Sequence, residues 1–472
     1  VEKIGEGKKI KKRKKLMAIP AAVDTLLRTH NIDYSVMEVV PEGATLPTVQ
    51  TVVLGDDTSR VQVLFPADCL LDLNALIRAT GRQLRALPSV ELFRLCQKQS
   101  LQQVPALPSA LGLPTIVDRR LLDRGEEALA SGMHGQLLCL SGEQFRRSLV
   151  SADVHDFAVE LSRLQHGRLD HIDDISEITK AIADFTQLRM KQRLEETLEL
   201  PPLPETAQKI IKLRVDPHAD IRHLTAIVEL DPALAAQVVS WASSPYYAAP
   251  GKIRSVHDAI VRVLGFDLVL NLALGLALGK SLSLPKDQPR GFTPYWEQSV
   301  YVAAAVEALV GCISPDKRPT IGLAYLTGLL HNFGQLLLAE IFPPHFSSYC
   351  RYQEANPHAH YTYIERHLLG ISRDQLAGWL MKLWSMPDEV CTGLRHQSNP
   401  DYDGPNSAYA NLVYVALHLL RLHDIGNAPL EPVPAAIYER LHLDPGKAMQ
   451  AIQHVVEASD EVKAIAAGLA SA

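Results

Sequence analysis

The chain has 472 residues, 47% of them apolar and 21% charged, with a formal net charge of −6. That length allows two or three domains, and that composition excludes overall disorder. The charge is uneven: residues 1–16 carry eight basic and two acidic side chains, which leaves −12 on the rest. A body that acidic is a poor general nucleic-acid binder, because phosphate contacts need Lys and Arg.

The run Lys8-Lys9-Ile10-Lys11-Lys12-Arg13-Lys14-Lys15 reads as a basic flexible tail over 1–16. It fits an arm for RNA, DNA or anionic lipid, a solvated tail, or residues upstream of a start at Met17; charge runs are weak signals. Cys69, Cys96, Cys139, Cys312, Cys350 and Cys391 form no CxxC pair, and no signal peptide is read. A cytoplasmic location with inert thiols is therefore expected. No membrane span is expected: the stretch from Val263 to Gly279 contains Asp267, is slightly short, and reads as a core helix.

Residues 17–160 mix strand and helix signals. Ala21–Thr29, Asp72–Ala79 and Val90–Leu95 read as helices. Thr51–Leu54 and Arg60–Phe65 flank the turn Gly55-Asp56-Asp57, a hairpin pattern. Pro114–Val117 and Gln136–Leu140 read as short buried strands. After Phe157 the strand signals stop. Over 161–199 a connecting helix is predicted, because Ile175, Ile178, Ile182 and Phe185 recur three and four apart. Its stripe suits its own domain better than a second copy of the chain. Pro201-Pro202-Leu203-Pro204 ends that helix. A helical domain is predicted over 200–425, broken near Pro217, Pro245 and Pro285–Pro289, with a final pair of helices in 426–472. The expected class is multidomain: mixed α/β, then all-α.

Several segments of the second half carry a resemblance in consistent order. They are Leu200–Pro204 with Ala207, Ile210 and Ile211; Asp231–Ala235; Ser255-Val256 with Ala259-Ile260; and Leu264-Gly265. Then follow Gly328-Leu329-Leu330-His331-Asn332-Phe333-Gly334, Trp384-Ser385-Met386-Pro387, and His396. Together they resemble HDOD domains, a branch of the HD superfamily. HD phosphohydrolases bind one or two metals through His and Asp side chains, and the metal activates water. A neutral amide replaces a bridging carboxylate poorly. Here the resemblance puts Asn332 beside His331, Gln298 and Arg373 where catalytic relatives place histidines, and Gln397 after His396. There is no GYP-type motif. The resemblance thus implies signalling and protein partners, with no metal, no cofactor and no phosphohydrolase turnover.

Two nearby patterns invite other readings. Gly275 to Ser281 looks like a P-loop, but its glycine spacing is one residue short and no strand precedes it, so close helix packing is expected. His358, His360, Glu365 and His367 have ligand chemistry, but a solvated loop entering a helix is the expected reading.

The first half resembles the YbaK/ProX-type domain associated with aminoacyl-tRNA synthetases. The resemblance rests on Ala21–Val23 with Leu26-Leu27 and Ile32-Asp33-Tyr34, on Leu54 and the run to Pro66-Ala67-Asp68, and on Val104-Pro105, Gly112–Asp118 and Gly132-Met133-His134. Active members hydrolyse the ester that joins a wrong amino acid to tRNA. The family relies on a Lys before the central strand and on a GxVP loop whose backbone N–H groups approach the ester. In this chain Gln50 stands where the Lys is expected and Gln102-Gln103-Val104-Pro105 where GxVP is expected. Gln is neutral, and a side chain at a Gly position can occlude the backbone. The candidate pocket is Gln50, Gln102, Gln103, Gly132 and His134; Ser100 and Ser109 suit turns.

The function expected is a non-catalytic bacterial signalling adaptor. It would bind partner proteins through the HDOD domain, with a degenerate deacylase-like domain that senses a ligand, such as tRNA or an amino acid. An oligomer is compatible and a membrane is not expected. The alternative is an aminoacyl-tRNA deacylase, hydrolysing mischarged tRNA in trans under HDOD control.

Overall fold

The computed structural model describes residues 19–38, 47–164, 171–190, 202–244, 247, 251–279 and 281–470; the basic tail lies outside them. The chain divides between Glu160 and Leu161 into two compact units.

The first unit is mixed α/β. Its helices are α1 (Ala21–Thr29), α2 (Leu73–Thr80), α3 (Ser89–Lys98) and α4 (Gly142–Ser148). Its strands are β1 (Ser35–Glu38), β2 (Val49–Gly55), β3 (Arg60–Pro66), β4 (Cys69–Leu71) and β5 (Arg85–Ala86), then β6 (Thr115–Asp118), β7 (Glu126–Ala130), β8 (Gln136–Ser141), β9 (Asp153–His155) and β10 (Ala158–Glu160). Five strands form one sheet in the order β5-β2-β3-β6-β9, three form β1-β8-β7, and β10 pairs with β4. The β2–β3 hairpin is antiparallel, with Gln50 opposite Phe65, and β6 lies parallel to β3. Its turn closes locally: Asp56 Oδ1 accepts from the backbone of Thr58 and Ser59, and Arg82 Nε donates to Asp56 Oδ2 at 2.8 Å. Between the sheets and helices lies a core of Val23, Leu27, Val53, Leu64, Val117 and Phe145.

Strand structure continues past Phe157, contrary to the sequence reading. Asp118 is fully buried, and its Oδ2 accepts from the backbone of Phe157 and Ala158. That side chain holds β10 against β4, a tie no local propensity signals.

The second unit is helical. It begins with α5 (Leu161–Leu164) and α6 (His171–Met190). The next helices are α7 (Glu205–Arg214), α8 (Ile221–Glu229), α9 (Pro232–Ala242) and α10 (Val256–Ala259). Asp220, Asp231 and Ser255 cap the last three through their side chains, as N-cap chemistry requires. The central layer holds α11 (Phe266–Gly279), α12 (Tyr295–Cys312), α13 (Ile321–Leu330) and α14 (Phe333–Ile341). Around it pack α15 (Pro343–Ala355), α16 (Tyr361–Leu369), α17 (Arg373–Leu383), α18 (Asp388–His396) and α19 (Ser407–Arg421). The chain closes with α20 (Ala435–Leu441), α21 (Pro445–Glu457) and α22 (Ser459–Ala470), three helices where a pair is predicted.

The α11 segment is buried along its length, as a core helix should be. Among the described residues one stretch, 321–341, is long and apolar enough to cross a membrane, and 94% of its 18-residue apolar window is buried inside the unit. It is interrupted at His331-Asn332, between α13 and α14.

The α6 stripe docks differently from its prediction. Ile178 is buried, but Ile175 is 56% exposed, and the buried neighbour one turn before Ile178 is Asp174. Phe185 lies outside the residues whose side chains are described. The helix does pack onto its own unit, against α17 and α18, through a polar contact.

Candidate functional site

The HD-like centre is built where α13 ends and α14 begins. A Cβ on Gly334 would lie 2.2 Å from the carbonyl oxygen of Arg373, so the start of α17 touches the start of α14 backbone to backbone. Ser372 caps α17 in a capping box with Gln375. Arg373, the first residue of α17, therefore points into the centre and is 1% exposed.

Every guanidinium nitrogen has a partner. Nε donates to Glu365 Oε1 and the Arg373 backbone N–H donates to Glu365 Oε2 at 2.8 Å. Nη1 donates to Asn332 Oδ1 at 2.8 Å and to Gln335 Oε1 at 3.1 Å, and Nη2 donates to the Tyr349 hydroxyl. The Tyr361 ring faces the cation with its centroid 4.1 Å from Cζ. Burial opposes the charge on Arg373, but Glu365 and the two phenols outweigh burial and hold the guanidinium cationic above its ordinary range. Burial pushes the Glu365 carboxyl up while Arg373 pulls it back.

His331 stands beside this cluster. Its Nδ1 is 2.7 Å from the Gly328 carbonyl and its Nε2 3.2 Å from Gln298 Nε2. These partners set a neutral tautomer in which Nδ1 donates and Nε2 accepts. Burial lowers its pKa to about 4, with Arg373 adding to the effect. Gln397 Nε2 donates to the His331 carbonyl at 2.8 Å and to Asp374 Oδ1 at 3.0 Å. His396 stacks on Tyr402 at 3.8 Å between ring centroids.

Of the five positions predicted for the HD-like site, Gln298, His331, Asn332 and Arg373 thus meet in one connected network; His396 stacks on Tyr402, and its neighbour Gln397 joins the network through the His331 carbonyl and Asp374. A divalent ion does not fit this donor set. The point where carboxylate and imidazole ligands would converge holds a guanidinium, whose charge already satisfies Glu365. Among the described residues no group of three or more His, Cys, Asp or Glu side chains is arranged to hold a metal.

His331 gives the centre a pH dependence. Its folded pKa, about 4, lies below the ordinary histidine value of 6.5. Its contribution is present above pH 6.5 and is lost as pH falls toward 4, because the unfolded chain takes up the proton first. We expect stability to drop by on the order of 1–3 kcal/mol over that interval. Urea titrations at stepped pH check this; a His331→Gln variant should show a shallower slope there, and an unchanged slope would contradict the assignment.

Next to the centre, α6 is fastened by a buried ion pair. Arg395 Nη2 donates to Asp174 Oδ1 at 2.7 Å and its Nε donates to Oδ2. Gln375 Nε2 donates to Asp174 Oδ1 and to Glu177 Oε2, both at 2.8 Å. Asp374, the residue between Arg373 and Gln375, accepts from Tyr361, Gln397 and Ser398. The α6 anchor and the guanidinium cluster therefore share the first turn of α17. Sequence reading missed Glu365, Tyr349, Tyr361, Gln335 and the Asp174–Arg395 pair. Glu365, whose spacing groups it with His358, His360 and His367, is instead fully buried on Arg373, which corrects the solvated-loop reading. His360 caps α16 and His367 faces the Tyr352 ring at 5.7 Å. The P-loop look-alike is a packing device: Cβ atoms on Gly275 and Gly279 would lie 2.6 Å from Leu329 and 2.3 Å from Trp296.

In the first unit, four of the five predicted pocket residues come together in two facing loops. The backbone N–H groups of Gln102 and Gln103 both donate to the Gly132 carbonyl, at 2.8 and 3.2 Å. Gln103 Nε2 donates to the Met133 carbonyl at 2.8 Å, and the His134 N–H donates to Gln102 Oε1 at 2.9 Å. Gly132 adopts φ +96°, and a Cβ there would lie 2.7 Å from Leu101. Gln50 is half-buried near the start of β2, opposite Phe65. The fully buried Gln62 of β3, unread in the sequence, donates to Thr51 Oγ1 at 3.1 Å and to the Pro105 carbonyl at 2.7 Å, so it positions the loop after Gln102. Ser100 and Ser109 both have positive φ, as turn residues do.

Residues 200–400 match the HDOD domain family, and residues 38–148 match the aminoacyl-tRNA editing domain family. A crystallised protein of Marinobacter aquaeolei VT8, assigned by inference to signal transduction, is 44% identical; the match covers 96% of this chain and 100% of that one, with a TM-score of 0.87. An HDOD domain protein of unknown function from Geobacter sulfurreducens is 22% identical over 61% of this chain and 97% of its own, with a TM-score of 0.48. An uncharacterized protein of Treponema pallidum (strain Nichols) is 20% identical over 269 residues, 56% of this chain and 50% of the relative; the chain spans about half the length of that curated relative. By its full-length likeness to the Marinobacter protein, the chain belongs to the same family as that protein, with an aminoacyl-tRNA editing domain followed by an HDOD domain.

Proposed function

We propose that the chain is a non-catalytic regulator of bacterial signalling that works by binding. The observation that carries this reading is the Arg373 guanidinium at the centre of the HD-like site, saturated by Glu365, Asn332, Gln335 and Tyr349. A cation fixed by four side chains leaves no position for metal-activated water. The HDOD domain acts as an adaptor for partner proteins. The editing domain serves as its sensor of an aminoacyl or tRNA-end ligand. All six cysteines are free thiols, which supports a reducing, cytoplasmic setting.

The rival reading is deacylation of mischarged tRNA by the editing domain. It is supported by the domain match and by two loops that remain closely paired. Against it, the N–H groups of Gln102 and Gln103 donate to Gly132, so they are committed and cannot stabilise an oxyanion as they stand. Purified full-length protein is expected to hydrolyse mischarged tRNA no faster than buffer. Turnover well above background, abolished by deleting residues 17–160, would establish the deacylase instead.

A further inference from the structure

The first helices after Glu160, α5 and α6, lie on the helices that hold the guanidinium cluster. Arg366 of α16, the neighbour of Glu365, donates from Nη1 to the Leu164 carbonyl of α5 at 3.4 Å. Gln375 of α17 and Arg395 of α18 hold the Asp174 carboxylate of α6, and Gln375 also reaches Glu177, one turn on. The receiving side is a rigid seat. Gln375 and Arg395 are 1% and 9% exposed, and Gln375 closes the capping box of α17 on the same turn as Arg373.

Helix α6 fills this seat with little apolar contact. Among its described side chains only Asp174 and Ile178 are buried, and Ile175 faces outward. Desolvation of two buried charges offsets much of their attraction, so the attachment is weak for a helix of 20 residues. It holds because α6 belongs to the same chain, which gives it an effective concentration on the order of millimolar. A separate helix that makes the same polar contacts and adds apolar ones competes with it. The seat sets what that helix must carry. Arg395 needs a carboxylate, because a buried guanidinium without one is costly, and Gln375 donates to a second acid one turn later.

We propose that the α17–α18 face beneath α6 is the partner-binding site of the helical unit, and that α6 occupies it as a competitor in cis. The partner is a protein helix with two carboxylates one turn apart and an aliphatic residue directly after the second, the pattern of Asp174, Glu177 and Ile178. Its docking exchanges one acid pair for another, so Arg395 keeps a counter-ion throughout. The inference rests on the regulator reading, whose partner site it names. The two fail separately: metal retention or hydrolysis would overturn that reading and leave helix binding at this face as measured.

Fluorescence anisotropy of a labelled peptide with the sequence of residues 171–190, titrated with full-length protein, tests the site. The Asp174→Ala protein, its own α6 loosened, should bind the peptide about tenfold or more tighter than the wild type, whose seat is filled. A peptide carrying the same Asp174→Ala change should bind the variant protein about tenfold or more weaker than the unchanged peptide, and this comparison puts no second change into the protein. Equal binding of the peptide by both proteins overturns the proposal. So does binding that the peptide's own substitution leaves intact, or the absence of saturable binding to the variant at millimolar concentration. A wild-type dimer that the peptide dissociates would assign the seat to a second copy of the chain and likewise overturn the reading of a separate partner.

Discussion

Replacing Arg373 by Ala should lower the unfolding free energy by about 3–5 kcal/mol, the range found when one partner of a buried ion pair is removed. The change strands Glu365, which is fully buried, and removes the donors to Asn332, Gln335 and Tyr349. Urea denaturation of the full chain measures it, read on the C-terminal unit by tryptophan fluorescence, since all four Trp residues lie there. The loss should shrink as pH is lowered, because burial already raises the Glu365 carboxyl and protonation relieves the stranded charge. An Arg373→Met, Glu365→Leu double variant should recover much of the stability, since apolar replacement of both partners is often neutral or better. A single variant that loses less than about 1 kcal/mol would mean that Arg373 is peripheral to the fold.

Asp174→Ala should release α6 rather than unfold the unit. Asp174 is the buried acceptor for Arg395 and Gln375, and beside it among the described α6 side chains only Ile178 is buried. Among the described residues the docking rests on that ion pair, on the Gln375 hydrogen bonds to Asp174 and Glu177 and on the Ile178 contact, and removing the ion pair costs about 3 kcal/mol. Hydrogen exchange over residues 171–190 should accelerate strongly, with protection in α12 and α13 retained. Unchanged exchange over α6 would contradict the anchoring role. Asp174→Asn should fall between, because an amide still accepts from Gln375 but carries no charge for Arg395.

The architecture was legible where local chemistry coincides with it. Ala21–Thr29 forms a helix over the residues read, and the hairpin forms around its Gly-Asp-Asp turn. The buried α11 also follows from its apolar run. Short strands were missed where side-chain chemistry opposes strand propensity. β7 opens on Glu126-Glu127, and Glu127 is buried through its contact with Thr48. β10 depends on Asp118, forty residues earlier.

The site was half legible. Motif positions name Asn332, Gln298 and Arg373, which the structure brings into one network, but an arginine in place of an expected ligand reads in sequence only as a loss. Three dimensions turn it into a replacement: the cation stands at the centre and gathers α14, α15 and α16 around α17. Its counter-ion, Glu365, lies only eight residues earlier, yet its sequence neighbours are histidines that drew it into a different reading. The α6 anchor was hidden because an amphipathic stripe points to apolar docking, whereas Asp174 docks through charge. In the editing domain the substitution Gln102 could be read from sequence; that its side chain accepts from His134 and its backbone donates to Gly132 could not.

The Arg373 guanidinium occupies the place a catalytic metal would need. Elemental analysis of the full-length protein, purified without chelator and incubated with iron, manganese or zinc before desalting, tests this most directly. Metal far below stoichiometric is expected for all three ions. Stoichiometric retention of any of them, lost on changing His331 to Ala, would contradict it.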